Sequence, residues 1–278
     1  SLVGSEMCIR DSSVPPRFKD VVTEEEYKKS ILYNTDRIKF QIFTALFGSV
    51  VLVIFTIGGL LNYLTQVVMD MTSSNVLGAV LLGLLLIIVE EIISIPISIY
   101  STFVIEERHG FNKTTRKTFV TDIFKGLLIS GAISSILYAT VIFIIISAGD
   151  LWWIYAFAAV FTLQAIIFFL YPVLIMPLFN KFEPLDDEQF KKPIEKLLEK
   201  VDFQSKGLFV MNASLRSTHG NAFFTGFGKN KRIVFFDTLL KTINPDEMEA
   251  ILGHELGHYK LGHIRKTLIS SLVFGFLG

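Results

Sequence analysis

Four long stretches with almost no charged residue constrain this chain more than any other feature. Residues 40–69, 126–149 and 151–180 carry no charge at all, and residues 71–105 carry only Glu90 and Glu91. A helix needs roughly 20 apolar residues to cross a bilayer core of about 30 Å. Only 19% of the chain is charged, below the value of about a quarter in soluble proteins. The sequence therefore predicts a mainly α, multispan membrane protein with four transmembrane helices at about these positions.

The basic residues predict the orientation of these helices. Seven Lys or Arg precede residue 40, five lie in residues 106–125 and fourteen in residues 181–266, which accounts for all 26. The two connections between spans near Asp70 and Asp150 contain no Lys or Arg. Basic segments stay on the cytosolic side of a membrane. We therefore predict a cytosolic N-terminal segment (14–39), four membrane helices (40–180), a second cytosolic segment (181–266) and the start of a further membrane helix (267–278).

Charge and cysteine counts exclude several classes of protein. The 26 basic residues balance the 26 acidic ones, so nothing in the whole-chain charge indicates a nucleic-acid partner. The single cysteine, Cys8, excludes an intrachain disulfide and a cysteine-based zinc ribbon. Glu90 and Glu91 have two interpretations. They face a polar cavity within the membrane, or the second span is shifted and they lie near the headgroups.

The second cytosolic segment has the pattern of an α+β unit. Apolar residues at helical spacing predict a helix over 187–201, and a strand follows at 207–212. Residues 221–236 predict two antiparallel strands joined by a turn at Gly228–Lys231. Asn244 and Pro245 are typical of a helix start, and this helix continues into the sequence HELGHYKLGH.

That helix carries an H-E-x-x-H motif formed by His254, Glu255 and His258. A spacing of four residues places both imidazoles on one helix face, where they can bind one Zn²⁺. Glu255 follows the first ligand and can accept the proton of the attacking water. The pattern predicts a zinc metalloprotease with one zinc ion per molecule.

Catalytic zinc sites use three protein ligands, and the third is not evident here. His263 lies nine residues after His254 and would point to the opposite side of the same helix, so we expect a capping or supporting role for it. The extended H-E-x-x-H-x-x-G-x-x-H motif is excluded by Leu261 and Ile264. His109 and His219 are alternatives without further support. We expect the third ligand beyond residue 278.

Several long segments resemble the type I CAAX prenyl endoproteases, which are membrane zinc metalloproteases of the kind that process a-factor and prelamin A. These segments are FVIEERHGFNKTT (103–115), PLFNKFEPL (177–185), NAFFTGFGKNKRIVFFDTLL (221–240) and HELGHYKLGH (254–263). The resemblance covers about residues 14–278. It implies a chamber of seven transmembrane helices, with the zinc site in a cytosolic α+β unit, in the endoplasmic reticulum membrane and also the inner nuclear membrane.

The resemblance also implies roles for individual residues. His254 and His258 match zinc ligands, Glu255 matches the general base, and the family's third ligand is a glutamate that would follow residue 278. Asn221, Ala222 and Phe223 match a segment that holds the substrate backbone as an added strand. The implied substrates are the C-termini of prenylated C-a-a-X proteins, from which the last three residues are removed.

Two departures from the family pattern lead to further expectations. The family's first membrane helix is absent before residue 14, and residues 1–13 match nothing in the family and look like a non-native leader. The family's glutamate ligand, further helices and C-terminal domain would all follow residue 278, so we expect a fragment that is inactive by itself. The alternative functions are a membrane quality-control zinc metalloprotease and a non-enzymatic multispan protein whose H-E-x-x-H helix is vestigial.

Overall fold

The structure is a computed structural model. It describes Val14 and residues 23–201, 203, 205–225 and 231–277, with all of their side chains except those of residues 255, 258, 259, 263–265, 268, 276 and 277. The predicted leader (1–13) and the tip of the turn after residue 225 lie outside the described residues. The chain divides into two compact units, Ser1–Asn112 and Lys113–Gly278, which are described separately below.

The first unit is helical. It contains α1 (Glu24–Thr56), α2 (Leu60–Met71) and α3 (Asn75–Tyr100), and α3 continues into a π-helical turn at Ser101–Glu106. Thr23 starts α1 with a capping box, because its hydroxyl accepts from Glu26 N while the Glu26 carboxylate accepts from Thr23 N. Ser74 caps α3 by accepting from Leu77 N.

The first uncharged stretch, residues 40–69, is not one continuous helix. Helix α1 ends at Thr56, and Gly58 and Gly59 separate it from α2. A Cβ atom on Gly58 would lie 2.5 Å from the Ile54 carbonyl oxygen, and Gly59 has a φ of +76°, which side chains disfavour. The two glycines therefore allow a change of direction that a continuous apolar run does not predict.

The second unit begins with two further long helices. Helix α4 spans Arg116–Ser147, and a 3₁₀ turn leads from it into α5 (Trp152–Leu170). A second π-helical turn, Tyr171–Ile175, precedes the short α6 (Met176–Phe179). Pro172 and Pro177 lie at the start of these two elements, where a missing N–H is tolerated.

Within the part of the chain that the structure describes, four helical segments are long and apolar enough to cross a membrane. They are Glu24–Thr56, Asn75–Glu106, Arg116–Ser147 and Gly149–Phe179. At most 11% of the most apolar window of each is fully buried within the chain, so most of their apolar side chains keep some exposed surface. The prediction of a mainly α, multispan membrane protein is confirmed. Glu90 and Glu91 lie near the middle of the second segment.

The remainder of the second unit is a small α+β region. Its strands are β1 (Phe182–Pro184), β2 (Leu208–Met211), β3 (Ala222–Thr225) and β4 (Arg232–Phe236), and they form a sheet in the order β1-β2-β4-β3. Strands β2 and β4 are parallel, and the other two pairs are antiparallel. Helix α7 (Glu188–Lys200) lies between β1 and β2 in the chain, and α8 (Asp237–Leu240), α9 (Pro245–Lys260) and α10 (His263–Leu277) follow β4.

The predicted helix at 187–201, the strands at 207–212 and 221–236 and the helix start at Pro245 are found in the structure, but the motif helix ends at Lys260 rather than continuing through His263. A hydrophobic core packs these elements together. Ile194 of α7, Ile233 and Phe235 of β4, and Met248 and Leu252 of α9 have no exposed surface. They belong to one hydrophobic cluster, which packs α7 and α9 against the sheet. The position of α9 relative to β3 and β4 is therefore set by close packing.

Candidate active site

The helix that carries the H-E-x-x-H motif has a well-defined start. Asn244 accepts a hydrogen bond from Glu247 N at 3.0 Å, and the Glu247 carboxylate accepts from Asn244 N at 2.9 Å. This capping box satisfies two main-chain donors that a helix end otherwise leaves unpaired. Pro245 occupies the first helical position, where its fixed φ is suitable.

The buried side of α9 determines which way the motif faces. Met248, Leu252 and Leu256 recur every four residues, are at most 5% exposed and belong to the core cluster. His254 lies two residues after Leu252, about 200° further round the helix, so it is on the opposite side. The His254 side chain is exposed, in agreement with this geometry. Position 258 is one turn further along the same side.

Helix α9 ends before His263, which corrects one expectation. The helix stops at Lys260, Gly262 adopts a φ of +65°, and α10 begins at His263. His263 therefore does not lie on the opposite side of the motif helix, because it belongs to a different helix. The sequence pattern did not predict this break, since a left-handed glycine two residues after a helix end interrupts no apolar run.

The described residues fit part of a zinc site. They contain no group of three His, Cys, Asp or Glu side chains that could hold a metal ion, but the side chains of Glu255 and His258 are outside this description. His254 is exposed, and position 258 follows one turn later on the same side of the helix, a spacing that suits two ligands of one Zn²⁺. Of the two alternative ligands, His109 lies 2.9 Å from the Asp36 carboxylate within the first unit.

Strand β3 forms one edge of the described sheet, and the residues matched to substrate binding lie on it or next to it. Phe236 N donates to Asn221 O at 2.9 Å, and Phe223 is paired with Val234. Bonded and non-bonded pairs alternate in antiparallel strands. The main-chain groups of Ala222 and Phe224 therefore point to the outer edge of the described sheet, where the Ala222 N–H donates to Asn221 Oδ1 at 2.9 Å.

The loop before β3 is anchored by Arg216, a role that no pattern in the sequence predicts. Its guanidinium donates to both Asp122 carboxylate oxygens, at 2.7 and 3.0 Å, to Asn180 Oδ1 and to Phe179 O. Its carbonyl oxygen accepts from Lys113 N and from the Thr114 hydroxyl. These contacts, called the Arg216 cluster below, join the start of α4 and the end of α6 to the loop that leads into β3.

Three contacts hold the rest of this loop. Asp237 accepts hydrogen bonds from the main chain and the hydroxyl of Ser214, and the buried Thr238 donates to His219 O at 2.7 Å. A Cβ on Gly220 would lie 3.0 Å from a Leu239 methyl carbon, so a glycine allows the chain to pass close to α8. The segment immediately before Asn221 is therefore tightly positioned.

An apolar cavity of about 550 Å³ lies beside the edge strand within the second unit. Ile167, Phe168 and Tyr171, from the end of α5 and the turn after it, line one part, and Phe223, Phe224 and Thr225 of β3 line another. Thr225 Oγ1 is buried and has no hydrogen-bond partner in the described part of the chain. The edge strand thus borders an apolar space next to a membrane-spanning helix.

Two family profiles match the chain in consecutive segments. Residues 6–181 match the CAAX prenyl protease N-terminal domain, described as five membrane helices, and residues 184–277 match peptidase family M48.

Individual relatives are similar over long alignments. CAAX prenyl protease 1 of Saccharomyces cerevisiae is 37% identical over 97% of this chain and 62% of its own length. The CAAX prenyl protease 1 homolog of Arabidopsis thaliana is 46% identical over 67% of this chain and 44% of its own length. The crystal structure of S. mikatae Ste24p superimposes with a TM-score of 0.89 at 33% identity, over 98% of this chain and 64% of that one. The chain thus spans between about two fifths and two thirds of the length of these relatives.

Proposed function

Because the chain belongs to peptidase family M48 and carries the N-terminal membrane domain of the CAAX prenyl proteases, we propose that it forms part of a zinc endopeptidase that removes the last three residues of prenylated C-a-a-X proteins. Family membership implies a metal cofactor. The identity of the metal as one zinc ion, the prenylated substrates and the location in the endoplasmic reticulum membrane belong to the proposal.

The observation that carries the proposal is the placement of the motif helix beside a free strand edge. Helix α9 contacts β3, and its buried stripe turns His254 outward. We assign metal binding to His254 and His258, and we place the third ligand, a glutamate, beyond residue 278. Zinc held by these residues would act as a Lewis acid, lowering the pKa of a water molecule and polarising the scissile carbonyl group.

The remaining roles fall to the chain's own residues. The Glu255 carboxylate accepts the proton of the attacking water and later delivers it to the leaving amine. A substrate strand that pairs with β3 forms hydrogen bonds to Ala222 O and to the main chain of Phe224, which adds Phe224 to the three residues matched by resemblance. Asn221 lies at the start of this edge and would release the Ala222 N–H to the substrate. The apolar cavity beside β3 is suited to an apolar part of the substrate.

The test uses a full-length protein in which residues 14–278 replace the matching segment of the S. cerevisiae relative. A farnesylated C-a-a-X peptide and the same peptide without the farnesyl group are compared by mass spectrometry of the products. We expect loss of the last three residues from the farnesylated peptide alone, and a loss of at least about 100-fold in kcat for Glu255→Gln. Lys260→Gln, on the same helix, serves as the control and should cleave normally.

Two outcomes would contradict the proposal. Equal cleavage of both peptides, or cleavage of an unfolded membrane protein in preference to the farnesylated peptide, would favour the quality-control protease. Unchanged cleavage by Glu255→Gln would remove the assigned general base. The 278-residue chain alone should be inactive in this assay, since the proposal gives it only two of the three ligands.

A further inference from the structure

The first unit contains a cavity that the proposed peptidase reaction does not use. It has a volume of about 620 Å³ and lies between α1 and α3. Phe40, Phe43 and Phe47 line it from α1 at helical spacing, and successive rings lie 6.3 and 6.2 Å apart in stacked orientation. Ile97 and Tyr100 contribute from α3, and the Tyr100 ring is 5.1 Å from that of Phe40. The wall is a continuous apolar and aromatic surface.

The cavity lies where α3 departs from regular helix geometry. Pro96 is part of its wall and has no N–H to donate within the helix. Five residues later α3 passes into the π-helical turn Ser101–Glu106, and Ile105 of this turn is buried and lines the cavity. Interruptions of this kind bend or widen a helix, so the gap between α1 and α3 has a structural cause.

The polar end of the cavity carries an excess of positive charge. Asp36, Lys39 and Arg108 line it there. Asp36 Oδ2 accepts from Arg108 Nη1 at 3.2 Å and lies 2.9 Å from His109 Nε2. Lys39 is exposed and forms no ion pair with the part of the chain that the structure describes. Two permanently basic side chains, Lys39 and Arg108, therefore face the one carboxylate of Asp36 at this end of the cavity.

An apolar groove with a cationic end matches an amphiphile with an anionic head. Both segments that supply the cations belong to the basic regions that the sequence places on the cytosolic side, where anionic lipids are concentrated. We propose that this cavity binds an anionic glycerophospholipid. Its phosphodiester lies between Lys39 and Arg108, and an acyl chain lies along Phe40, Phe43 and Phe47.

The experiment is native mass spectrometry of the 278-residue chain in detergent, titrated with palmitoyl-oleoyl phosphatidylserine or phosphatidylcholine. Lys39→Gln removes the Lys39 cation at the polar end of the cavity. Lys28→Gln removes an exposed cation on the same helix, away from the cavity, and is the matched control. Ile97→Trp reduces the volume of the cavity without changing its charge.

We expect the wild-type chain to retain phosphatidylserine in preference to phosphatidylcholine. Lys39→Gln should weaken phosphatidylserine binding about fivefold, as expected for one basic residue at a lipid surface, and Lys28→Gln should leave it unchanged. Ile97→Trp should weaken the binding of both lipids. Circular dichroism of each variant verifies that its helices are intact.

Three results would overturn the proposal. They are equal retention of the two lipids by the wild-type chain, equal losses for Lys39→Gln and Lys28→Gln, and displacement of bound lipid by an uncharged farnesylated peptide but not by phosphatidylserine. The last result would assign the cavity to the isoprenoid. None of these readouts requires bound metal or proteolysis, so the lipid site and the proposed peptidase activity are tested separately.

Discussion

The membrane-spanning helices and the α+β region bury apolar side chains in different ways. The apolar windows of the four long helices are almost entirely unburied within the chain, and Phe143 of α4, for example, is 63% exposed. In the α+β region Phe235 is fully enclosed by side chains from the sheet and two helices. Lipid or further helices must cover the first kind of surface, whereas the second is a core that positions the motif helix. Substitutions of the same type should therefore have different effects in the two regions.

The largest expected difference comes from one substitution made in both places. Phe235→Ala should lower the free energy of unfolding by about 3 to 5 kcal/mol, because it removes a fully buried ring and leaves a cavity. Phe143→Ala should change it by less than about 1 kcal/mol, because the ring has few contacts within the chain. Denaturation in mixed micelles, followed by circular dichroism, measures the change in the free energy of unfolding for each variant. Similar losses for the two variants would show that the comparison is wrong.

A smaller loss of stability is expected for substitutions in the Arg216 cluster, which joins the membrane-spanning helix α4 and the short α6 to the α+β region. Arg216 and Asp122 are 26% and 25% exposed, so water screens the ion pair only partly. Arg216→Ala should lower the free energy of unfolding by about 2 to 3 kcal/mol, because it removes the donor to the Asp122 carboxylate and to the Phe179 carbonyl group. Arg216→Lys should recover less than half of this loss, since an ammonium group cannot donate to both carboxylate oxygens in parallel.

The same denaturation experiment measures these variants, and limited proteolysis of the loop before β3 reports whether the segment is released. Lys206→Ala, a substitution in the same region away from the cluster, is the control and should leave the cleavage pattern unchanged. Full recovery by Arg216→Lys would mean that charge alone, rather than the bidentate geometry, holds the loop.

The sequence predicts those parts of the fold that depend on local patterns. Apolar spacing indicated a helix over 187–201, and the structure has Glu188–Lys200. Apolar spacing did not predict the helix breaks at Gly58–Gly59 and at Gly262. At these positions the backbone conformation interrupts a helix without any change in hydrophobicity. Arg216 was missed because its partners Asp122 and Asn180 are 94 and 36 residues away.

In the candidate site, too, local sequence patterns predict some features and not others. The motif itself can be read from the spacing of His254, Glu255 and His258, and the capping residues that start its helix are local. The outward direction of His254 follows from Met248, Leu252 and Leu256, and this stripe can be recognised in the sequence once the helix is placed. The proposed substrate contact of Phe224 could not be predicted, because it depends on the register between β3 and β4.

The zinc content of the full-length replacement protein tests the central claim most directly. Elemental analysis after dialysis should give one zinc ion per molecule for the protein that carries residues 14–278 unchanged and for His219→Ala. His254→Ala should hold almost none, because it removes one of two histidines on the exposed side of α9. Stoichiometric zinc in His254→Ala, or its loss in His219→Ala, would contradict the assignment of the metal centre to the H-E-x-x-H helix.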